Sequence, residues 1–289
     1  MKAVNSIPAY IERSTHFFAV CPTIRHQDLT KVTCDYGSWS GRGWCRLELL
    51  ALWLARYSNL SGIVVKGGEA APFMIPAISV MTSLPGEGTF TCCARNHNIG
   101  GVEIKCDRIK IGNVISSMVT KRIQYHLGRE EMQAFRLWKA ARSVFLVGLP
   151  QLKEHKLPQC LESFLREFKF APSAKSSSSL SKNGSAASWT PLVLACISSN
   201  LPVVRELVED LGVDVNVRMG FVDRTMGFPR DCTALHYAAY TGRHVVKQIV
   251  ELLVQAGADL NDSRNQGGWA PLFSAVYRCN AGGRTASDS

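Results

Sequence analysis

Between Asp231 and Asn261 the chain reads DCTALHYAAYTGRHVVKQIVELLVQAGADLN, two short helical patterns split by Gly242 and closed by Gly257. Thr233 stands at the N-cap of the first pattern, where a hydroxyl can accept a free N–H of the opening turn. Gly242 and Gly257 supply the positive φ that ends a helix without a Cβ clash. Leu235, Ala238 and Ala239 make one apolar face, and Val246, Ile249, Val250 and Leu253 make another. Two helices this short cannot bury those faces alone, so the stretch demands stacked neighbours of its own kind.

Neighbours exist on both sides. Upstream, Trp189-Thr190-Pro191-Leu192-Val193-Leu194-Ala195 aligns with the first helix, Val203 to Val208 with the second, and Gly212-Val213-Asp214-Val215-Asn216 with the closing turn. Val193 stands where His236 does, and Ser199 where the inter-helix glycine does. Downstream, Trp269-Ala270-Pro271-Leu272-Phe273-Ser274-Ala275 opens a third copy whose second helix is missing. The stretch resembles an ankyrin repeat, whose pattern T-P-L-H-x-A-A, a glycine and a closing G-A-D-V-N are matched here with two departures: Ala234 replaces the proline, and about three extra residues lengthen the second helix. The extra length between the first two copies falls in Val217–Arg230, where the hairpin between repeats belongs. The resemblance implies an all-α solenoid that binds a protein partner through hairpin tips and the concave helix face. A solenoid needs roughly three repeats with polar caps, so with two full copies and a fragment either the array packs on the N-terminal half, or its C-terminal end is frayed, or the sequence is an incomplete copy.

Charge divides the chain. Of the net +10, Ser188–Ser289 carries nine Lys/Arg against ten Asp/Glu, leaving 24 against 13 in Met1–Ala187. A basic first part and a near-neutral repeat part fit modules with different partners. No apolar run reaches the roughly 20 residues of a membrane span. The ten scattered cysteines, several inside apolar runs, read as reduced thiols of a cytoplasmic protein.

The N-terminal part has a different grammar. Ile7, Tyr10 and Ile11 share a helical face that Ser14 ends, and Phe17 to Cys21 is a continuous apolar strand. Trp44 to Ala55 is a strongly apolar helix, and Leu60 to Val65 a second buried strand. Continuous apolar strands alternating with helices predict a parallel α/β layer. Ile11 and Ser14, the strand after them, Trp44-Cys45 with Glu48-Leu49, and Ile63 to Val65 resemble the C-terminal half of a Toll/interleukin-1 receptor (TIR) domain. In NAD-cleaving members of that family the glutamate of the motif is the catalytic acid. The resemblance puts that role on Glu48, with NAD as substrate, since a carboxylate can steady the charge that develops on ribose. The family's first strand and nucleotide loop would lie before Ser6, so the pocket is expected to be incomplete and Glu48 an exposed charge on an apolar helix.

Ala70–Asp107 is rich in Pro and Gly. Cys92, Cys93, His97 and Cys106 are ligand-type residues without paired C-x-x-C or H-x-x-x-H spacing, so the expectation is a hairpin with Val102-Glu103-Ile104 as a strand, and no metal. Gly112–Leu127 and Glu130–Leu149 read as helices. In the second, Met132, Phe135, Trp138 and Phe145 form an apolar stripe, and Arg136, Lys139 and Arg142 a basic one. The basic stripe admits RNA or acidic lipid as a partner; the plainer reading is a domain helix with its aromatics inside. Leu157–Phe170 is one more helix, and Ser176 to Ser179 mark a flexible linker.

The expected organisation is therefore a TIR-like α/β fragment over 1–107, a helical segment over 108–172, a Ser-rich linker over 173–187 and ankyrin repeats over 188–289. The expected function is that of a protein-binding adaptor without enzymatic activity or cofactor, with NAD cleavage by Glu48 as the alternative. Arg218, Phe221, Arg224, Met226, Phe228 and Arg264, on the inter-repeat segments, are the expected partner-binding side chains, because exposed aromatics and arginines anchor interfaces; the plainer alternative for Phe221 and Phe228 is packing of the insertion onto the array.

Overall fold

A computed structural model describes residues 2–27, 31–55, 61–75, 83–150, 157–171, 185–186, 188–223, 225–241 and 245–282. Its described residues fall into two compact units, one drawn from 1–120 and 145–152 and the other from 121–144 and 153–283. The segment read as 108–172 is thus shared between the units, and Ser176 to Ser179 lie outside the described residues.

The first unit begins with α1 (Lys2–Glu12), which buries Ile11 and leaves Tyr10 in solvent, and β1 (His16–Val20). A short ladder pairs β2 (Ile24–Arg25) with β3 (Thr33–Cys34). Helix α2 (Tyr36–Ser40) opens on a complete capping box: the Asp35 carboxylate accepts from the Ser38 N–H and the Ser38 hydroxyl accepts from the Asp35 N–H. Helix α3 (Gly43–Leu54) buries nearly every side chain, Arg46 included, whose guanidinium donates to the Ser40 and Leu84 carbonyls. Strand β4 (Ser61–Val65) lies parallel to β1, with Phe18 opposite Ile63, as the apolar runs predict. The third strand, β5 (Phe73–Met74), is antiparallel to β4, so the sheet is mixed, in the order β1-β4-β5. Ala19, Cys21 and Val64 form its packed centre with Phe17, Tyr36, Trp39 and Ile75 against them.

Beyond a turn of 3₁₀ helix at Pro85–Glu87 come α4 (Thr91–Ala94), the two-residue strands β6 (Asn98–Ile99) and β7 (Val102–Glu103), and the long α5 (Asp107–Gly128). The predicted strand is present, one residue shorter. This region is held by close backbone approach: a Cβ at Gly86 would come within 2.0 Å of the Val147 carbonyl oxygen. Arg108 clamps the contact, donating to the Gly86 and Gly148 carbonyls, both at 2.6 Å.

In the second unit α6 (Met132–Phe145) buries Phe135 and Trp138, as its apolar stripe predicts. Two residues of its basic stripe, Arg136 and Lys139, are spent on the next helix, α7 (Leu161–Glu167), and the residues just after it. Arg136 donates to the Phe168 and Lys169 carbonyls and stacks on Phe170, and Lys139 pairs with Glu167 at 3.3 Å. After β8 (Ser185–Ala186) the repeats follow. In the first, α8 (Pro191–Ile197) is capped by Thr190, whose hydroxyl accepts from the Val193 N–H. Helix α9 (Leu201–Arg205) is capped by Asn200 and widens into a π turn over Glu206–Asp210. Ser199 carries φ +56°, the left-handed geometry that a glycine supplies in a regular repeat. Strand β9 (Arg218–Met219) leads into the inter-repeat insertion and pairs in parallel with β8. The second repeat contains α10 (Ala234–Thr241) and α11 (Val246–Gln255), closed by Gly257 at φ +89°; Gly242 lies outside the described residues. Helix α12 (Pro271–Gly282) stands where the sequence places the start of a third copy.

Within this unit the first repeat is bonded to the segments that precede it. Gln133 of α6 accepts from the Trp189 N–H, Glu206 accepts from the Leu161 N–H, and Asn200 donates to the Pro158 carbonyl. Helices α6 and α7 thereby cover the first repeat.

Candidate functional site

The two repeats are joined by polar side chains at equivalent positions. In the closing turns, Asp214 accepts from the Asn216 N–H and Asp259 accepts from the Asn261 N–H, so each turn is internally braced. Asn216 then reaches across, donating to the Gly257 carbonyl at 2.9 Å and accepting from the Asp259 N–H at 3.1 Å. Deeper in, His236 is fully buried and faces both ways. Its Nδ1 accepts from the Thr233 N–H at 3.2 Å and touches the Thr233 hydroxyl at 2.9 Å. With Nδ1 an acceptor, Nε2 carries the proton and donates to the Trp269 carbonyl at 2.8 Å, at the start of the third copy. The Thr233 hydroxyl therefore serves the histidine ring rather than a free helical N–H. Burial pushes the His236 pKa down, although the Trp269 carbonyl and Asp262 pull it up.

The insertion between the repeats folds as a tight hairpin around Asp223. The Asp223 Oδ1 accepts from the Thr225 and Met226 N–H groups, and its backbone pairs with Phe228. Burial raises the Asp223 carboxyl to about 7, against the pull of those two N–H groups.

This hairpin changes what the expected binding residues can do. Met226 and Phe228 are interior: Phe228 packs at 4.2 Å on the Tyr237 ring and edge-on to Tyr240. The aromatics of the insertion find more apolar area inside the array than a solvent-facing tip offers, so these two are core residues, not surface anchors. Phe221 is half-buried, edge-on to Trp189 at 4.9 Å. Arg218 is largely covered and grips Asp262 at 2.6 Å. Arg264 also binds Asp262, at 3.0 Å, but leaves 67% of its side chain in solvent. Burial works to raise the Asp262 pKa, yet the Arg264 hydrogen bonds and the two guanidinium charges hold it below its ordinary value. Arg224 lies outside the described residues. Of the six expected positions, Arg264 alone is a well-exposed described side chain. Exposed apolar positions that sequence reasoning missed include Val222 in the insertion, Leu211 and Leu260 near the closing turns, and Leu272, Phe273 and Val276 on α12. Their signal was available: residues 272, 273 and 276 lie on one side of a helix.

Glu48 lies in the other unit. It lines a cleft of about 300 Å³ with Ile7, Tyr10, Ile11, Phe17, Phe18 and Trp39. It is half-buried rather than the exposed charge expected; burial raises its pKa and the charge of Arg42 lowers it. Among the described lining residues there is no Lys or Arg, so these offer a dinucleotide's pyrophosphate no cation. Also in this unit, the ligand atoms of Cys92, Cys93, His97 and Cys106 all lie within 4.8 Å of one another.

Ankyrin-repeat family models match residues 187–217 and 230–265. The C-terminal region therefore contains two ankyrin repeats, at the two full copies read from the sequence. No curated protein and no solved structure matches the chain. Among the described residues no helix is long and apolar enough to cross a membrane.

Proposed function

We propose that the chain is a cytoplasmic adaptor that binds a protein partner through its ankyrin region, without chemistry of its own. The observation that carries this reading is the uncovered side of α12, where Leu272 is 70% exposed and Phe273 and Val276 are more than 40% exposed. Apolar side chains on the open side of a stacked array offer burial to an incoming chain at about 25 cal/mol per Å². Arg264, held in place by Asp262 yet mostly in solvent, adds a preorganised charge of the kind found at interface centres. None of the nine described cysteines is in a disulfide, which fits a reducing compartment. Glu48 and the basic stripe of α6 take no part in this function.

The test is comparative capture. Leu272→Asp with Val276→Asp, and separately Arg264→Glu, are compared with wild type and with Lys247→Glu, a change at an exposed position of α11. The reading predicts that proteins enriched by wild type are lost from the first two variants and kept by the third, with unchanged circular dichroism. An identical captured set across all four chains would refute it.

A further inference from the structure

We propose that Cys92, Cys93, His97 and Cys106 bind one zinc ion, which acts as the structural centre of the loop-rich part of the first unit. Four ligand-type side chains from three local elements converge there. Cys92 and Cys93 come from α4, His97 from the turn after it, and Cys106 from the residue before α5. The sulfur spacing fits. Cys92 Sγ lies 3.9 Å from Cys93 Sγ, and Cys93 Sγ lies 3.7 Å from Cys106 Sγ. A tetrahedron with zinc–sulfur bonds of about 2.3 Å has sulfur–sulfur edges of about 3.8 Å. A disulfide would need about 2.05 Å.

Three further observations point inward to a ligand. The His97 Nε2 is buried and has no hydrogen-bond partner, which is costly for a ring nitrogen unless something else occupies its lone pair or proton. Asn96 and His97 both adopt left-handed backbone, at φ +46° and +57°, a strained pair of non-glycine residues at the point where the chain brings the imidazole back to the sulfurs. The Asp107 N–H points at Cys92 Sγ at 3.4 Å, the backbone donation that steadies a thiolate. Asp107 is itself fixed by Trp44 Nε1 at 3.1 Å and Lys110 at 2.8 Å, so the cluster is tied to α3 as well as to α5.

Three thiolates and an imidazole are a donor set for zinc, and four protein ligands leave no open position, which makes the site structural rather than catalytic. On binding, each thiol releases its proton to solvent and the imidazole coordinates in its neutral form. The physical need is plain in the surrounding fold: β6 and β7 are two residues each, and α4 is a single turn. Such elements close around a metal more readily than around a core of their own. The sequence spacing hid the site because its two adjacent cysteines and its eight-residue return through Gly100-Gly101 match no paired C-x-x-C pattern.

The test uses the full chain, purified under reductant with zinc supplied. Elemental analysis is expected to find about one zinc per chain. Replacement by Co²⁺ should give the intense thiolate-to-metal charge-transfer absorption of a tetrahedral site. Cys106→Ser should lose that band and the bound zinc, and Cys160→Ser, an exposed cysteine outside the cluster, should keep both. Should Cys106→Ser not fold, the wild-type chain still decides the matter. Three thiols are expected to resist alkylation until a chelator is added. Well under one zinc per folded chain, no charge-transfer band with Co²⁺, or a Cys93–Cys106 disulfide in the reduced preparation would each overturn the assignment.

Discussion

The two units solve the same problem, ordering short elements, by opposite means. In the repeat unit the helices of the first repeat have counterparts in the second, α8 in α10 and α9 in α11, and polar side chains bridge successive segments: Asn216 joins one closing turn to the next, and His236 joins the second repeat to the segment that follows. In the first unit no contact repeats. Its order rests on singular devices, the Gly86–Gly148 approach clamped by Arg108 and the convergence of three sulfurs and a histidine. A repeated device can be lost in one copy and carried by its neighbours. Val193 stands where a histidine would and is simply buried, and the first repeat is held instead by Gln133 and Glu206. A singular device has no such reserve.

The comparison can be broken most forcefully at His236. Replacing it with Ala strands the buried Thr233 N–H and takes one of two donors from the Trp269 carbonyl, which Asn265 still serves, and should cost about 2 kcal/mol in urea unfolding of the second unit. A loss under 1 kcal/mol would mean that apolar packing alone joins the repeats. Next in size is an effect of pH. The Asp223 carboxyl, at about 7 in the fold against 3.8 for the ordinary group, keeps a proton that the unfolded chain releases. Its contribution is complete below about pH 4 and is lost as pH rises to about 7. His236 runs the other way: its pKa is depressed, so its contribution is complete above its ordinary 6.5 and falls as pH drops below it. Asp223→Asn should therefore gain in melting temperature over wild type from pH 5 to pH 8, which isolates the aspartate from the histidine. A difference independent of pH would contradict the buried, proton-holding carboxyl. The smallest expected effect sharpens the comparison. Ser199→Gly relieves a left-handed serine whose buried hydroxyl has no partner, and should stabilise the first repeat by about 1 kcal/mol in the same urea titration.

Legibility followed this division. The repeat unit could be read because its signals are local and periodic: Thr190, Pro191, Gly212 and Gly257 each specify a cap or a turn within a few residues of themselves. Even the degenerate Ser199 was readable as a glycine position. What escaped was the direction of the insertion. Met226 and Phe228 look alike as surface anchors or as core, and Tyr237 and Tyr240, which bury Phe228, follow it by 9 and 12 residues beyond a turn. In the first unit the parallel pairing of β1 with β4 was visible in two apolar runs, but β5 was not, since two residues carry no periodicity. The cysteine cluster was visible as residues and invisible as a site. Its geometry depends on where Asn96 and His97 turn, and no neighbouring copy marks those two positions as left-handed in the way the second repeat marks Ser199.

Hydrogen exchange of the full chain, with and without a zinc chelator under reducing conditions, tests the contrast most directly. The account predicts that chelation speeds amide exchange across Leu84 to Lys110 while Thr190 to Asp262 keeps its protection. Unchanged exchange in the first stretch, or an equal rise in both, would contradict it.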